Sequence, residues 1–111
     1  MKDIIQYDDF AKLDIALGTV LSVELIEGAD KLLKLMVDIG EEEPRQILSG
    51  IREFFHDPQV LVGRQFPFVV NLAPRTIRGL ESQGMILAAL ADDVFALLEP
   101  SVVLPSGTRV N

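Results

Sequence analysis

At 111 residues with 49% hydrophobic content, the chain is sized for one domain with a packed core, and its composition argues against disorder. It contains no cysteine, which excludes disulfides, thiolate metal sites and cysteine nucleophiles, and no apolar run approaches the roughly 18 residues of a membrane span. The net charge of −7, taken as one number, argues against a nucleic-acid partner, because phosphate contacts need Lys and Arg.

The N-terminal MKDIIQYDDF has no basic region followed by a long apolar core, so it does not read as a signal peptide, and a cytoplasmic location is expected. DDFAKL (8–13) predicts a short helix with Asp8 as N-cap. Ile15, Leu17, Thr19, Leu21, Val23 and Leu25 form one side of a period-two run, with Ala16, Gly18, Val20 and Ser22 on the other. This predicts a long strand, with Gly18 marking a bulge or bend. EGADK is a turn. Leu33, Leu35, Val37 and Ile39 alternate with Lys34, Met36 and Asp38 as a second strand.

GEEEP is an exposed acidic turn, and RQILSG is a short third strand. Asp57 before Pro58 fits an N-cap with proline at the first helical position, predicting one turn of helix within 52–62. RQFPFVVNLA reads as a fourth strand, where Pro67 suggests an edge or a strand start. The loop PRTIRGLESQG follows, then MILAAL as a fifth strand, an Asp92-Asp93 turn, VFALLEP as a short sixth, and a tail with a Ser-Gly turn. The order suits an all-β fold: an OB-fold, a five-stranded Greek-key barrel with a short helix between strands 3 and 4 and a C-terminal extension. A small β-sandwich is the competing architecture.

No catalytic constellation is visible. His56 is the only histidine and sits at a helix start, and neither Ser49 nor Ser82 lies in a nucleophile-elbow sequence. No Gly-rich phosphate loop is present. The GEEEP acids read as a solvated loop before a cation site, since adjacent side chains in an extended turn point apart. No enzyme activity, cofactor or metal is expected.

Charge is unevenly spread. Residues 1–43 hold four lysines against eleven acids, whereas residues 44–82 hold five arginines against three. The stretch NLAPRTIRGLESQGM places Arg75 and Arg78 three residues apart, where a turn would point both to one side. Pro74 ends the preceding strand, and Gly79 and Gly84 permit close approach of a bulky ligand. Ser82 and Gln83 can donate to phosphates or bases, and Met85 can lie against a base or ribose. The stretch is a candidate site for single-stranded or looped nucleic acid. Equally, two arginines in a loop can be a solvated surface, and the absence of Trp weakens any model built on base stacking.

From about Tyr7 to Val110 the sequence resembles the tRNA-binding domain family, which includes the C-terminal domain of many bacterial methionyl-tRNA synthetases and free-standing structure-specific tRNA-binding proteins. DDFAKLDIALGTV, EGADKLLKLMVDIGEE, RQILSGIR, DPQVLVGR, NLAPRTIRG, SQGM and PSGTRV carry the resemblance. It implies a single OB-fold domain over residues 1–111, usually dimeric, that binds tRNA by shape. The family motifs NL-x-P-x-x-x-RG and S-x-GM fall on Asn71, Arg75, Arg78, Ser82 and Met85, and second-strand basic residues are matched by Lys34, with Lys31 as a further candidate. Arg45 and Arg52 are added from charge and Gln83 from its donor group. Thr76 stands where members often carry lysine, which implies modest affinity.

The chain is therefore expected to be a non-catalytic tRNA-binding homodimer. Phe10, Leu13, Val94, Phe95, Leu97, Leu98 and Val102–Leu104 are candidates for the dimer contact or for a cap on the barrel. Starting at Met1 without a catalytic domain, it is also expected to be either free-standing or a detached appendage of methionyl-tRNA synthetase. A secretion-related chaperone that binds unfolded peptides is the alternative of a different class.

Overall fold

A computed structural model describes residues 1–111. A short helix α1 (Tyr7–Phe10) precedes three antiparallel strands, β1 (Ile15–Leu25), β2 (Leu33–Asp38) and β3 (Arg45–Ser49). Two 3-10 turns, Arg52–Phe54 and Pro58–Leu61, lead to β4 (Gln65–Val69). Then come β5 (Arg75–Ile77), β6 (Leu80–Ser82), β7 (Met85–Ile86), β8 (Ala88–Ala91), β9 (Val94–Leu97) and β10 (Arg109–Val110).

The main sheet runs β3-β2-β1-β4-β7, with β10 added to β1. Its two ends meet. The Gln83 N–H donates to the Gln46 carbonyl at 2.8 Å, and the Gln46 N–H donates to Gln83 Oε1 at 3.0 Å. The Leu48 N–H donates to Ser82 Oγ at 3.0 Å. Side chains thus supply bonds that a regular ladder would take from the backbone, and the sheet curls into a nearly closed five-stranded OB-like barrel. Closure leaves few unpaired edges.

The barrel interior is filled by Ala16, Val20 and Val23 of β1, Leu33, Leu35 and Val37 of β2, Ile47 of β3, Phe66 and Phe68 of β4 and Ile86 of β7. Phe66 and Phe68 are fully buried, and each such side chain stabilises by about 1.5–3 kcal/mol. β2 alternates inward and outward as its sequence dictates.

β1 departs from its sequence pattern. Ala16 and Val20 face the core, so the even residues, not the odd ones, line the barrel in its first half. The register then slips between Val20 and Ser22, leaving Leu21 as a bulge, and Val23 takes over the inward face. The bulge therefore lies at Leu21 and not at Gly18. Gly18 pairs regularly with Phe66, and its smallness serves packing.

The odd residues Leu17 and Thr19 are covered by the C-terminal extension. The Leu17 N–H donates to the Thr108 carbonyl at 2.8 Å, and Thr19 Oγ1 bonds Ser106 Oγ at 2.8 Å. The Gln65 side chain holds Leu104 through both its carbonyl and its N–H. Pro67 lies inside β4, opposite Leu17, rather than at a strand start. Its missing N–H is harmless there, because the Leu17 backbone is already bonded to Thr108 and Gly107.

Two other expectations change. Gln6, not Asp8, caps α1, and its N–H donates to Asp9 Oδ2 at 3.1 Å. MILAAL is two strands, since β7 pairs with β4 and β8 forms a hairpin with β9. Phe95 on that hairpin stacks on Phe54 at 4.3 Å and meets Phe55 edge-on at 5.8 Å. Phe95 and Leu97 therefore pack against the core from outside, while Phe10, Leu13, Val94, Leu98 and Val102–Leu104 stay exposed. Asp57 does cap the Pro58 turn, accepting from the Gln59 N–H at 3.1 Å.

Candidate nucleic-acid interface

The stretch expected to be a loop is a β-hairpin. β5 pairs with β6 in the register Arg75↔Ser82, Thr76↔Glu81 and Ile77↔Leu80. Its two-residue turn is Arg78-Gly79, with φ of 53° and 78°. Positive φ at both central positions is the primed turn whose twist matches a hairpin. The hairpin lies along β3, fixed by the Ser82 and Gln83 bonds and by Gln46 Nε2, which donates to the Glu81 carbonyl at 2.9 Å.

Arg75 and Arg78 consequently serve different places. Arg75 rims a small apolar hollow under the hairpin, about 70 Å³, with Leu48, Leu72, Ile77 and Met85. Arg78 stands at the tip, beside the turn between β1 and β2. There it shares a notch of about 240 Å³ with Asp30 and Lys31. Leu48, Leu72 and Ile77 escaped the sequence reading; the signal was the outward, apolar position of Leu48 on β3.

Several predicted site residues are committed to the fold. Ser82 is buried; its Oγ accepts from the Leu48 N–H and donates to the Gly84 carbonyl at 3.1 Å. Asn71 accepts from the Asp14 N–H at 2.8 Å and donates to the Lys12 carbonyl at 2.7 Å, tying the N-terminal segment to the end of β4. Gln83 bonds Gln46 as described. Arg45 forms a two-pronged pair with Glu41, at 2.9 Å on each prong, and also donates to the Val70 and Gln83 carbonyls. That hydrogen-bonded pairing holds the Glu41 carboxyl below its ordinary range and raises the Arg45 guanidinium. Lys34 pairs with Glu24, its cross-strand neighbour, at 2.9 Å.

Of the ten cations, Lys12, Lys34, Arg45, Arg64 and Arg109 are ion-paired. Four of the remaining five are Lys31, Arg52, Arg75 and Arg78. Arg52 Nη1 donates to the Ala29 carbonyl at 3.1 Å and its N–H donates to the Lys31 carbonyl at 3.2 Å. These four gather along the hairpin and the turn beneath its tip. At the hairpin's other end, an open cavity of about 520 Å³ is lined by Glu41, Glu42, Glu43, Arg45 and Pro74. The face is therefore polar along its length, positive at the tip and negative at the base. Such an arrangement can hold phosphates at the tip, offer an apolar rest for a sugar or base edge beside Met85, and repel them at the base.

Residues 15–109 match the family described as "Putative tRNA binding domain". A methionine–tRNA ligase of Methanococcoides burtonii is 49% identical over 111 residues; the alignment covers 99% of this chain and 16% of that enzyme. Two solved structures share the fold along nearly their full length. The MetRS related protein from Pyrococcus horikoshii superposes with a TM-score of 0.90 at 37% identity, covering 98% of this chain and 99% of that one. The chaperone CsaA from Bacillus anthracis superposes with a TM-score of 0.87 at 30% identity, covering 98% and 100%.

Proposed function

The chain belongs to the tRNA-binding domain family, and from that premise we propose that it is a non-catalytic module that grips tRNA by shape through the β5–β6 hairpin and the adjoining turn. The observation that carries this reading is the sorting of charge. Five cations are ion-paired within the fold, and four of the five others lie on the β5–β6 hairpin or at the turn beside its tip. On a chain of net charge −7, that concentration gives phosphates one favourable landing place. Arg75, Arg78, Lys31 and Met85 carry the contact in this reading. Lys34, Arg45, Asn71, Ser82 and Gln83 shape the surface that presents them.

The module acts as a cytoplasmic homodimer. Support comes from exposed Ile5, Tyr7 and Phe10 near the N-terminus and exposed Leu98, Val102 and Val103 in the C-terminal extension, apolar side chains that a second copy would cover. A second copy would also raise apparent tRNA affinity through multivalency.

Two further readings have their own support. The similarity to methionine–tRNA ligases, of which this chain spans 16%, favours a tRNA-binding appendage of such an enzyme. The likeness to the Bacillus anthracis chaperone favours a chaperone, for which the same apolar surfaces would hold unfolded peptide.

Binding of unfractionated tRNA at low and moderate salt, with double-stranded DNA as control, tests the principal reading. Saturable tRNA binding that weakens with salt, with little DNA binding, is expected. No binding at low salt would overturn it. Sedimentation tests the dimer, co-purification with a methionyl-tRNA synthetase tests the appendage, and salt-insensitive peptide binding would favour the chaperone.

A further inference from the structure

We propose that the notch between the β1–β2 turn and the hairpin tip seats a single phosphate of the RNA chain, with Lys31 and Arg78 as its two arms. The proposal rests on the tRNA-binding reading and adds to it a shared ligand for two residues that lie 47 positions apart in sequence.

The notch is lined by Gly28–Leu32 on one side and by Arg78 on the other, and encloses about 240 Å³. The cations among the lining residues are Lys31 and Arg78; Asp30 is the acid. Both cations are exposed, and neither side chain takes part in an ion pair or hydrogen bond of the fold. With Asp30, they leave a net charge of +1, matching the one negative charge of a phosphodiester.

Two features hold the arms in place. Arg52 fastens the turn from behind, donating to the Ala29 carbonyl and, through its backbone, to the Lys31 carbonyl. Arg52 is thus a positioning residue for Lys31. On the opposite wall, Arg78 occupies the left-handed region at φ 53°. Asn or Gly would adopt that conformation more readily. Arginine at this position costs stability, and such outliers concentrate at functional sites. Its reach into the notch gives that cost a use.

The test is a double-mutant cycle on tRNA affinity as a function of salt, using Lys31→Gln, Arg78→Asn and the pair. Asn suits the turn, so Arg78→Asn keeps the hairpin. Each single change is expected to weaken binding about tenfold, the loss of one charge-assisted hydrogen bond. If both arms hold one phosphate, the double variant loses less than the product of the single losses. The log–log salt slope then falls by roughly 0.7–0.9, the contribution of one phosphate. Losses that multiply, with a slope change near twice that, would assign the two residues to separate phosphates and overturn the proposal. Unchanged affinity in the single variants would overturn it as well.

A titration with orthophosphate, followed by amide NMR, separates the notch from the tRNA reading. Shifts confined to residues 28–32 and 78–79, and lost in Lys31→Gln, are expected. Those shifts in a protein that fails to bind tRNA would sink the tRNA reading and keep the notch as an anion site. No shifts there would remove the notch even if tRNA binds.

Discussion

Gly18 and Val37 approach so closely inside the barrel that a Cβ on Gly18 would lie 2.5 Å from Cγ1 of Val37. The same Cβ would lie 2.8 Å from Cδ1 of Phe68. Val37 and Phe68 are both fully buried and cannot swing into solvent. Gly18→Ala therefore overpacks the core and is expected to cost about 1–3 kcal/mol, with Gly18→Val costing more. Urea denaturation measures this. An unchanged midpoint for Gly18→Ala would show that the β2 and β4 walls yield.

The first four strands could be read in order from the sequence because turn residues separate them and β2 alternates cleanly, as Leu33, Leu35 and Val37 show. β1 resisted because both of its faces are covered. Ala16 and Val20 enter the barrel while Leu17 and Thr19 lie beneath the C-terminal extension, so polarity does not mark the inside. The Leu21 bulge then exchanges the faces, and a period-two count cannot see an inserted residue. The β5–β6 hairpin was missed because its strands have three residues each and its turn is Arg-Gly rather than Asn-Gly. Motif matching found the positions of Asn71 and Ser82, but sequence does not say whether a polar side chain turns outward or bonds the backbone.

Arg78 sits where the backbone and the proposed ligand make opposite demands. A non-glycine residue in the left-handed region costs about 1–2 kcal/mol, and Asn bears it best. Arg78→Asn is expected to raise stability by up to about 1 kcal/mol while weakening tRNA binding. Arg78→Glu should weaken binding further with the fold intact, since the residue is exposed at a hairpin tip. Thermal melts paired with binding isotherms decide it. A variant that gained stability and kept full affinity would remove Arg78 from the site.

Ser82 offers the reverse case. Its hydroxyl satisfies the Leu48 N–H in a buried setting between β3 and β6. Ser82→Ala leaves that donor unpaired and is expected to cost about 1–3 kcal/mol. Measured well below the melting temperature, tRNA affinity should stay near that of the unaltered chain. A strong loss of affinity without loss of stability would mean that the hydroxyl leaves Leu48 to meet the RNA.

Arg64 and Glu99 clip the C-terminal extension to the start of β4 through paired hydrogen bonds. The hydrogen bond from Arg64 lowers the Glu99 carboxyl from its ordinary value of 4.5 and raises the guanidinium. A carboxyl depressed in the folded state stabilises fully above its unfolded value and loses that contribution as pH falls through the folded one. Both side chains are about 40% exposed, so water and salt weaken the pair and the effect is small. Glu99→Gln is expected to lower the melting temperature slightly at pH 7, with the gap to the unaltered protein closing as pH drops below about 4.5. Melts of both proteins across that range test the sign. A gap that persisted in acid would assign the role of Glu99 to packing along the extension, because a contact without charge does not titrate.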